Sequence, residues 1–334
     1  MSYIILITVI ASFITALYAT NWLIRYLRRI DLVVPDAHKE EKPLIPLSGG
    51  LSVMAGLFTG LMLFIFFETF FPSEADMLGQ NGNSLLLLFA SATSLLIITL
   101  VGFVDDLIIE RTKGESGGLR QWQKPLITLS AAIPLMVINA GTKKMLFPLF
   151  GYVDVGIIYP LLLVPIGVVG AANMVNLLGG FNGLEAGMGL IYTLSLGLYA
   201  YTHGSYIAAI FALMTFAALA AFYIYNRFPA KIFPGDSLTY LLGGVLAVIA
   251  IIGNMERVTL IVSTPFVIEF FLKLRGKFKK TSVGYMKNGK VFSNYENIYS
   301  LPHVFTRKGI FTERQVVWFM MGIQAFFAII IWLV

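Results

Sequence analysis

Apolar stretches alternate with short polar segments along the whole chain. Since about 20 apolar residues cross a bilayer as a helix, this pattern predicts an all-α polytopic membrane protein with about ten transmembrane helices. The predicted spans are 3–24, 47–67, 84–104, 125–141, 157–175, 187–203, 205–225, 238–254, 257–274 and 314–334. Alternating residues around Gly151 also predict a short β-hairpin near 145–156.

Lysine and arginine are distributed unevenly between the two sides of these spans. With residue 1 outside, nearly all of them fall in the inner segments, which are 25–46, 105–124, 176–186, 226–237 and 275–313. Cytoplasmic segments carry an excess of basic residues. The pattern therefore predicts a multi-pass cell-membrane protein with both termini and the hairpin outside.

The composition supports a membrane class. Of the 334 residues, 57% are hydrophobic and only 13% are charged, whereas a soluble domain is about a quarter charged. We therefore expect one integral membrane domain over residues 1–334, with the lipid bilayer and not nucleic acid as a partner. The chain has no cysteine, which excludes disulfides and thiolate metal sites. Arg25, Arg28 and Arg29 follow the first apolar run, which favours a retained span over a cleaved signal peptide.

Two adjacent carboxylates, Asp105 and Asp106, end the third apolar stretch. A carboxylate at bilayer depth costs roughly 2.5–3.5 kcal/mol, so such residues are usually paired, solvated or functional. Neighbouring carboxylates also repel, which favours a cationic partner. Lys124 begins the next predicted helix at the same depth and could neutralise them or hold a phosphate. The alternative is a polar stop at the membrane surface beside an ordinary flanking lysine.

Asparagines and glycines interrupt the chain after the fifth predicted span. Asn173 and Asn176 are three residues apart and share a helix face. Glycines then break the helix before Asn182 and Glu185. Amide and carboxylate oxygens suit a hard cation such as Mg²⁺, with Mn²⁺ as a substitute. The alternative is an Asn-Gly-rich turn between two helices.

Two further polar stretches lie on the same predicted side. In Phe233-Pro-Gly-Asp236-Ser, Asp236 precedes an apolar helix, so it can cap that helix, bind a metal, or do both. Phe233 either stacks on a nucleobase or belongs to an interfacial aromatic belt. The basic loop 275–313 suits a polyanionic substrate or anionic lipid. Its lone His303 is either a ligand contact or a structural hydrogen bonder.

All four stretches fall on the predicted inner face, although scores of residues separate them. We interpret them as one site at the cytoplasmic mouth of a helical bundle. The rival hypothesis is an ion-coupled transporter, which would also explain intramembrane polar residues such as Glu269. A transport path needs polar groups through the depth of the membrane, however. Spans three, five and seven carry them only near their inner ends.

Together these motifs resemble the polyprenyl-phosphate N-acetylhexosamine-1-phosphate transferases, glycosyltransferase family 4. The resemblance runs through nearly the whole chain and depends on Val-Gly-Phe-Val-Asp105-Asp106, on Asn173-Met-Val-Asn176-Leu-Leu-Gly-Gly-Phe-Asn182-Gly-Leu-Glu185 and on Phe233-Pro-Gly-Asp236-Ser. The Asn182-Gly-Leu-Glu185-Ala-Gly form looks most like the dolichyl-phosphate N-acetylglucosamine-1-phosphate branch, in an archaeal-type member. Undecaprenyl branches usually have an Asp-Gly-Leu-Asp form there.

The resemblance implies an activity and its substrates. A magnesium-dependent enzyme of this kind would transfer N-acetylglucosamine-1-phosphate from UDP-N-acetylglucosamine to a dolichyl or other polyprenyl phosphate, releasing UMP. This would be the first lipid-linked step of glycan assembly, for protein N-glycosylation or a cell-surface glycan. The alternative within the family is another UDP-N-acetylhexosamine with undecaprenyl phosphate. The exact sugar, the polyprenol and the choice between monomer and homodimer stay open.

The resemblance also implies roles for individual residues. Asn176 and Asp236 would coordinate Mg²⁺, and Asp105 and Asp106 would be the catalytic pair. The substrate-binding residues would be Lys124, Asn173, Asn182, Glu185, Phe233 and His303. The loop 275–313 would recognise the substrate from the cytoplasmic side.

The resemblance also implies specific contacts for some of these residues, and this sequence differs from the family pattern at two positions. Lys124 would hold the lipid phosphate, and Asn182 and Phe233 would contact the uracil. His303 is a single histidine where bacterial members have a histidine-rich run. Leu47 stands where the eukaryotic branch has a uracil-contacting glutamate.

Overall fold

Helices account for most of the described chain. The computed structural model describes residues 3–71, 83–111, 119–141, 144–147 and 151–334. Its α-helices are α1 (Tyr3–Arg29), α2 (Gly50–Phe70), α3 (Asn83–Arg111), α4 (Gln123–Thr128), α5 (Ile133–Val137), α6 (Val164–Leu177), α7 (Leu184–Thr202), α8 (Tyr206–Asn226), α9 (Gly235–Gly253), α10 (Glu256–Val262), α11 (Thr264–Arg275), α12 (His303–Thr306) and α13 (Glu313–Ile330). Short turns of 3₁₀ or π geometry adjoin some of them, at Leu129–Ala132, Tyr159–Leu163 and Ile331–Leu333.

In the part of the chain that the structure describes, three small antiparallel sheets lie between the helices. They pair β1 (Val33–Pro35) with β2 (Leu44–Pro46), β3 (Lys144–Phe147) with β4 (Gly151–Asp154), and β5 (Tyr285–Lys287) with β6 (Lys290–Phe292). The predicted hairpin is present as β3 and β4, with residues 148–150 outside the described part of the chain. The all-α prediction missed the other two sheets, because strands of three residues are too short to show alternation. The turn signal for β5 and β6 was Asn288-Gly289, where both residues have positive φ.

The number of spans supported by the structure is smaller than the sequence pattern predicted. Among the described residues, seven helices are long and apolar enough to cross a membrane: Tyr3–Arg29, Gly50–Phe70, Asn83–Ile108, Tyr159–Leu177, Tyr206–Asn226, Gly235–Gly253 and Glu313–Leu333. The protein is thus a multi-pass membrane protein with seven candidate spans in the part of the chain that the structure describes, and the ten-span topology stays a prediction. The predicted span 125–141 is divided between α4, a 3₁₀ turn and α5, and the span 257–274 is divided at Ser263. Helix α7 has 19 residues, but Glu185 and three glycines lower its apolarity.

Helix α9 lies at the centre of the bundle and carries Asp236 in its first turn. It is buried without interruption from Ser237 to Ile249, and it packs against α2, α3, α6 and α8. Glycines permit three of these contacts: a Cβ on Gly50, Gly102 or Gly243 would lie 2.3–2.4 Å from backbone atoms of the facing helix. The close approach brings the start of α2 and the ends of α3 and α6 to the N-terminus of α9. Polar residues at those four helix ends therefore meet.

Candidate active site

The carboxylate of Asp106 caps the first turn of α9. Its Oδ1 accepts a hydrogen bond from the Asp236 N–H at 2.7 Å. Its Oδ2 accepts from the Ser237 N–H at 3.2 Å and from the Ser48 hydroxyl at 2.8 Å. The N–H groups of a first helical turn lack partners within the helix and form the positive end of its dipole. Asp106, which is fully buried, therefore fixes the backbone on which Asp236 is mounted.

Gly235 makes room for this cap. Its φ is +68°, and a Cβ at this position would lie 2.4 Å from Oδ2 of Asp106. Any side chain would therefore be strained by its backbone and would collide with the capping carboxylate. The glycine of the Pro-Gly-Asp motif therefore has a physical role, because it lets the Asp106 carboxylate approach the helix that carries Asp236.

Lys124 bridges the remaining two carboxylates. Its Nζ lies 2.7 Å from Oδ2 of Asp105 and 2.8 Å from Oδ2 of Asp236. The other oxygen of Asp105 accepts a hydrogen bond from the Leu119 N–H at 2.7 Å. The cationic partner expected for the adjacent acids is thus present. The two acids point in different directions, since neighbouring helical residues diverge by about 100°.

Asn176, in the last turn of α6, lies beside Asp236. Its Nδ2 is 3.3 Å from Oδ2 of Asp236, and its Oδ1 accepts a hydrogen bond from the Thr239 hydroxyl at 3.1 Å. Asn173, one turn earlier, donates to the Thr128 hydroxyl at 3.2 Å and so joins α6 to α4. The two asparagines therefore differ: Asn176 contacts the acidic cluster, and Asn173 supports the helix that carries Lys124.

The contact between Asp236 and Asn176 is close enough for the two side chains to share one cation. Carboxylate and amide oxygens are ligands that Mg²⁺ prefers, and rotating the Asn176 amide by half a turn would present its oxygen to the ion. The carboxylate already attracts a cation, because the Lys124 ammonium lies against it. The donor set therefore fits a magnesium ion.

Asn182 lies in a separate polar cluster. Its Nδ2 donates to Oδ2 of Asp36 at 3.0 Å and to Oε1 of Glu313 at 2.6 Å. Its Oδ1 accepts from the Ala230 N–H at 2.8 Å, and the residue is only 3% exposed. Both amide hydrogens are thus already donated. The structure does not bring this side chain into contact with Asp236.

Glu185 and Phe233 shape the loops next to the site. Oε1 of Glu185 accepts a hydrogen bond from the Gly180 N–H at 2.9 Å, which closes the turn between α6 and α7. The Phe233 N–H donates to the Pro46 carbonyl at 2.8 Å, and its carbonyl accepts from the Gly49 N–H at 3.0 Å. These bonds hold the glycine turn before α2 against the segment before Asp236, while the Phe233 ring is half-buried.

His303, the first residue of the short helix α12, is fully buried. Its Nδ1 accepts from the Tyr299 N–H at 3.2 Å, and its Nε2 lies 3.1 Å from the Thr281 carbonyl. Burial, together with the charge of Lys273, lowers the pKa of His303 to about 4, so the ring is neutral at neutral pH. This geometry is that of a structural hydrogen bonder, and the structure does not bring His303 to the acidic cluster.

Comparison with known proteins assigns the family. The profile of glycosyl transferase family 4 matches residues 88–254. A protein of Saccharolobus solfataricus, provisionally named a UDP-N-acetylglucosamine–dolichyl-phosphate N-acetylglucosaminephosphotransferase, is 33% identical over 329 residues, 98% of this chain and 95% of that protein. The chain belongs to glycosyl transferase family 4. It is accordingly an enzyme, a polyprenyl-phosphate phospho-N-acetylhexosamine transferase.

Two further relatives show how this family 4 transferase is related to its archaeal and bacterial members. A Sulfolobus acidocaldarius protein with the same provisional name is 31% identical over 328 residues, 98% of this chain and 94% of that protein. A phospho-N-acetylmuramoyl-pentapeptide-transferase of Anoxybacillus flavithermus is 30% identical over 277 residues, 80% of each chain. The similarity to the Saccharolobus and Sulfolobus proteins therefore extends over more of the transferase than the similarity to the Anoxybacillus protein does.

The transferase also has a site residue that the sequence reasoning missed. Tyr240 lies one helical turn after Asp236, and the Lys124 Nζ is 5.9 Å from its ring centroid. Its hydroxyl is buried and has no hydrogen-bond partner among the described residues. The nearby Asn176 amide is engaged with Thr239 and Asp236. The i, i+4 spacing from Asp236 was the available signal, since such residues share a helix face.

An apolar cavity of about 260 Å³ lies between α6, α9, α10 and α11. Its walls include Leu163, Gly167, Met174, Leu246, Leu260 and Phe266. Met174 and Val175 line it directly before Asn176 in the sequence. The cavity therefore extends along the same helix that delivers an amide to the acidic cluster.

Proposed function

We propose that this family 4 transferase moves N-acetylglucosamine-1-phosphate from UDP-N-acetylglucosamine to a dolichyl or closely related polyprenyl phosphate. The products are N-acetylglucosamine-diphosphate-polyprenol and UMP, and the reaction is the first lipid-linked step of glycan assembly. The observation that carries the proposal is the convergence of Asp105, Lys124, Asn176 and Asp236 from four helices within hydrogen-bonding distance. The nearly full-length similarity to the two archaeal relatives supports the choice of substrates.

The proposed reaction is a single in-line displacement. An oxygen of the lipid phosphate attacks the β-phosphorus of the UDP-sugar, and the bond from that phosphorus to the bridging oxygen breaks as UMP leaves. Lys124 would hold the lipid phosphate, and Asp105 orients the lysine through the contact at 2.7 Å. A phosphate monoester is mostly ionised at neutral pH, so removal of a proton by Asp105 adds little. Positioning and charge neutralisation carry most of the rate enhancement.

Mg²⁺, with Mn²⁺ as a substitute, is the cofactor in this proposal. Asp236 and Asn176 would hold it, because their oxygens are of the right type and the side chains lie 3.3 Å apart. When bound, the ion would spread the negative charge of the diphosphate and of the departing UMP. Asp106 contributes by fixing the first turn of α9, and thereby the direction of the Asp236 carboxylate.

The polyprenyl chain would enter from the bilayer. The apolar cavity along α6 leads to Asn176, so an isoprenoid in it would have its phosphate near Lys124. In the proposed topology all ten apolar segments cross the cell membrane, with both termini and the β3–β4 hairpin outside. The site and the loop 275–313 then lie on the cytoplasmic side, where UDP-sugars are available, and that loop recognises the donor substrate.

A second candidate retains the chemistry but changes the substrates. The Anoxybacillus relative is named for the transfer of phospho-N-acetylmuramoyl-pentapeptide, which favours a different amino sugar, and the acceptor in this candidate is undecaprenyl phosphate. The transporter hypothesis is replaced by the family assignment.

The experiment is a substrate panel with the purified transferase in nanodiscs. UDP-N-acetylglucosamine, UDP-N-acetylgalactosamine and UDP-N-acetylmuramoyl-pentapeptide are each combined with Mg²⁺ and either dolichyl or undecaprenyl phosphate, and UMP release is measured. We expect fastest release with UDP-N-acetylglucosamine and dolichyl phosphate. A clear preference for another pair would favour the second candidate, and absence of UMP release with every pair would refute the proposal.

A further inference from the structure

A buried polar network lies apart from the acidic cluster and is centred on Glu313, the first residue of α13. The Glu313 network consists of Asp36, His38, Lys39, Asn182 and Glu313. Oε1 of Glu313 accepts from the Asn182 N–H at 2.8 Å and from its Nδ2 at 2.6 Å, and Oε2 lies 2.7 Å from the Lys39 Nζ. Glu313 is 1% exposed, so these contacts are shielded from water.

His38 connects the Glu313 network to the segment that precedes β5. Its Nε2 accepts from the Gly284 N–H at 3.1 Å, which places the ring hydrogen on Nδ1. Nδ1 faces Oε1 of Glu313 at 3.6 Å. The backbone N–H of His38 donates to Oδ1 of Asp36 at 3.0 Å. The imidazole therefore connects the segment after β1 with the segment before β5.

The network does not have the properties of an empty metal site. Although ligand atoms of Asp36, His38 and Glu313 lie within 4.8 Å of one another, the carboxylate oxygens already accept N–H donors from the protein. The Lys39 ammonium offsets one of the two carboxylate charges, and neutral N–H groups of Asn182 and His38 donate to the oxygens that a metal would need. A buried polar network in which each member is satisfied is rigid and specifies one arrangement.

The segments held by the network continue directly to the candidate metal ligands. Asn182 follows Asn176 by six residues, and its Oδ1 accepts from the N–H of Ala230, which precedes Asp236 by six residues. One carboxylate on α13 thus holds the chain after one ligand and, through Asn182, the chain before the other.

An open cleft of about 600 Å³ adjoins the network. Its walls include Lys39, Lys42, Gly284, Tyr285, Lys287 and Asn294. Lys39 and Gly284 are direct partners of Glu313 and His38. The excess of lysines suits an anionic ligand, and the network supports both sides of the cleft.

We propose that Glu313 is a positioning residue for the nucleotide half of the donor substrate. Through Asn182, Lys39 and His38 it holds the segments that form the wall of the basic cleft and lead to the candidate metal ligands. This inference rests on the proposed function, since the donor is taken to be a UDP-sugar. Glu313 itself is buried behind these residues and acts through them.

The test replaces Glu313 by Gln in the full-length transferase in nanodiscs, with Glu296→Gln as the matched control. Glu296 is exposed and lies in the same loop region. We expect Glu313→Gln to raise the KM for UDP-N-acetylglucosamine and the Kd for UDP alone by about tenfold or more, because a charged acceptor is lost from a buried network. The KM for polyprenyl phosphate should stay within about twofold, as should every constant of the control.

Further measurements separate positioning from general damage. Since Glu313 acts partly through Asn182, the double variant Asn182→Ala/Glu313→Gln should lose less UDP affinity than the sum of the losses in the two single variants. Equal losses in both substrate affinities and in kcat would overturn the inference, and so would a Kd for UDP unchanged by Glu313→Gln. If the variant does not fold, hydrogen exchange of the wild type decides: UDP should protect peptides covering 36–43 and 180–184, and unchanged exchange there would overturn the inference.

The inference and the proposed function can fail separately. A wild type that binds UDP but releases no UMP from UDP-N-acetylglucosamine would contradict the proposed substrate pair, while the effect of Glu313→Gln on UDP binding would still decide the inference. Normal transfer with a Kd for UDP that is insensitive to Glu313→Gln would overturn the inference alone.

Discussion

Asp106→Asn tests whether this acid positions the site or reacts in it. The carboxylate accepts three hydrogen bonds, two of them from the first-turn N–H groups of Asp236 and Ser237. Asparagine has a similar shape but only one side-chain oxygen. Whichever way its amide is turned, one N–H group of α9 faces an NH₂ group and loses its acceptor.

The magnitude follows from those contacts. A hydrogen bond to a charged group contributes about 1.5–3 kcal/mol, and a charge at the start of a partly buried helix contributes up to about 2 kcal/mol. We therefore expect Asp106→Asn to lower the free energy of unfolding by roughly 2–4 kcal/mol. The first turn of α9 should also shift, and a displacement of about 1 Å in a reacting group can lower the rate about 100-fold.

The assay measures thermal unfolding and UMP release of the same preparation, with Asp31→Asn as a control at an exposed aspartate. Positioning predicts that Asp106→Asn lowers both Tm and kcat, while the control changes neither. An unchanged Tm with abolished UMP release would show that the carboxylate reacts, and would refute the capping argument. Wild-type behaviour in both measurements would refute any role for the cap.

Three further outcomes are expected. Tyr240→Phe should leave Tm nearly unchanged, because the hydroxyl has no well-formed hydrogen bond among the described residues. It should lower UMP release if the hydroxyl contacts a substrate, and unchanged activity would show that it does not. The pKa of His303 is lowered from its ordinary 6.5 to about 4. Between these pH values the unfolded state binds a proton that the folded state does not, so stability should fall as the pH drops from about 6.5 to 4. His303→Gln should flatten this part of the Tm–pH curve, and a curve unchanged by the substitution would contradict this prediction. Adding Mg²⁺ at about 100 times its Kd should raise the wild-type Tm by a few degrees, and Asp236→Asn should abolish that shift; an equal shift in the variant would place the ion elsewhere.

The sequence pattern predicted which residues meet in the acidic cluster better than it predicted where the helices are interrupted. The acids, the asparagines and Asp236 stand out because polar groups are costly next to apolar spans, and the structure places Asn176 3.3 Å from Asp236. Hydropathy shows how apolar a segment is, but not whether the segment forms one unbroken helix. It therefore did not show that proline-containing segments divide into α4 and α5, and into α10 and α11.

The Glu313 network could not be read from local patterns. Glu313 contacts Lys39 across 274 residues of chain and Asn182 across 131, and each residue appears ordinary in its own segment. Glu313 follows Thr312 in a capping box, so the sequence there predicts only the start of a helix. Asn182 and His303 occupy positions at which the family resemblance predicts contact with the substrate. In the structure both side chains are buried and hydrogen-bonded to other parts of the chain. Such facts depend on packing between distant segments.

The charges of the acidic cluster would favour the binding of a divalent cation next to a phosphate. Asp106 is compensated by the N-terminus of α9, whereas Asp105 and Asp236 share the single ammonium of Lys124. That trio therefore retains an excess negative charge in a mostly buried place, which is costly without a further cation. A divalent ion at Asp236 would satisfy this deficit and release Lys124 from one of its two acids. The lysine could then remain on Asp105 and contact an incoming phosphate, so binding of the ion and binding of the lipid phosphate should favour each other.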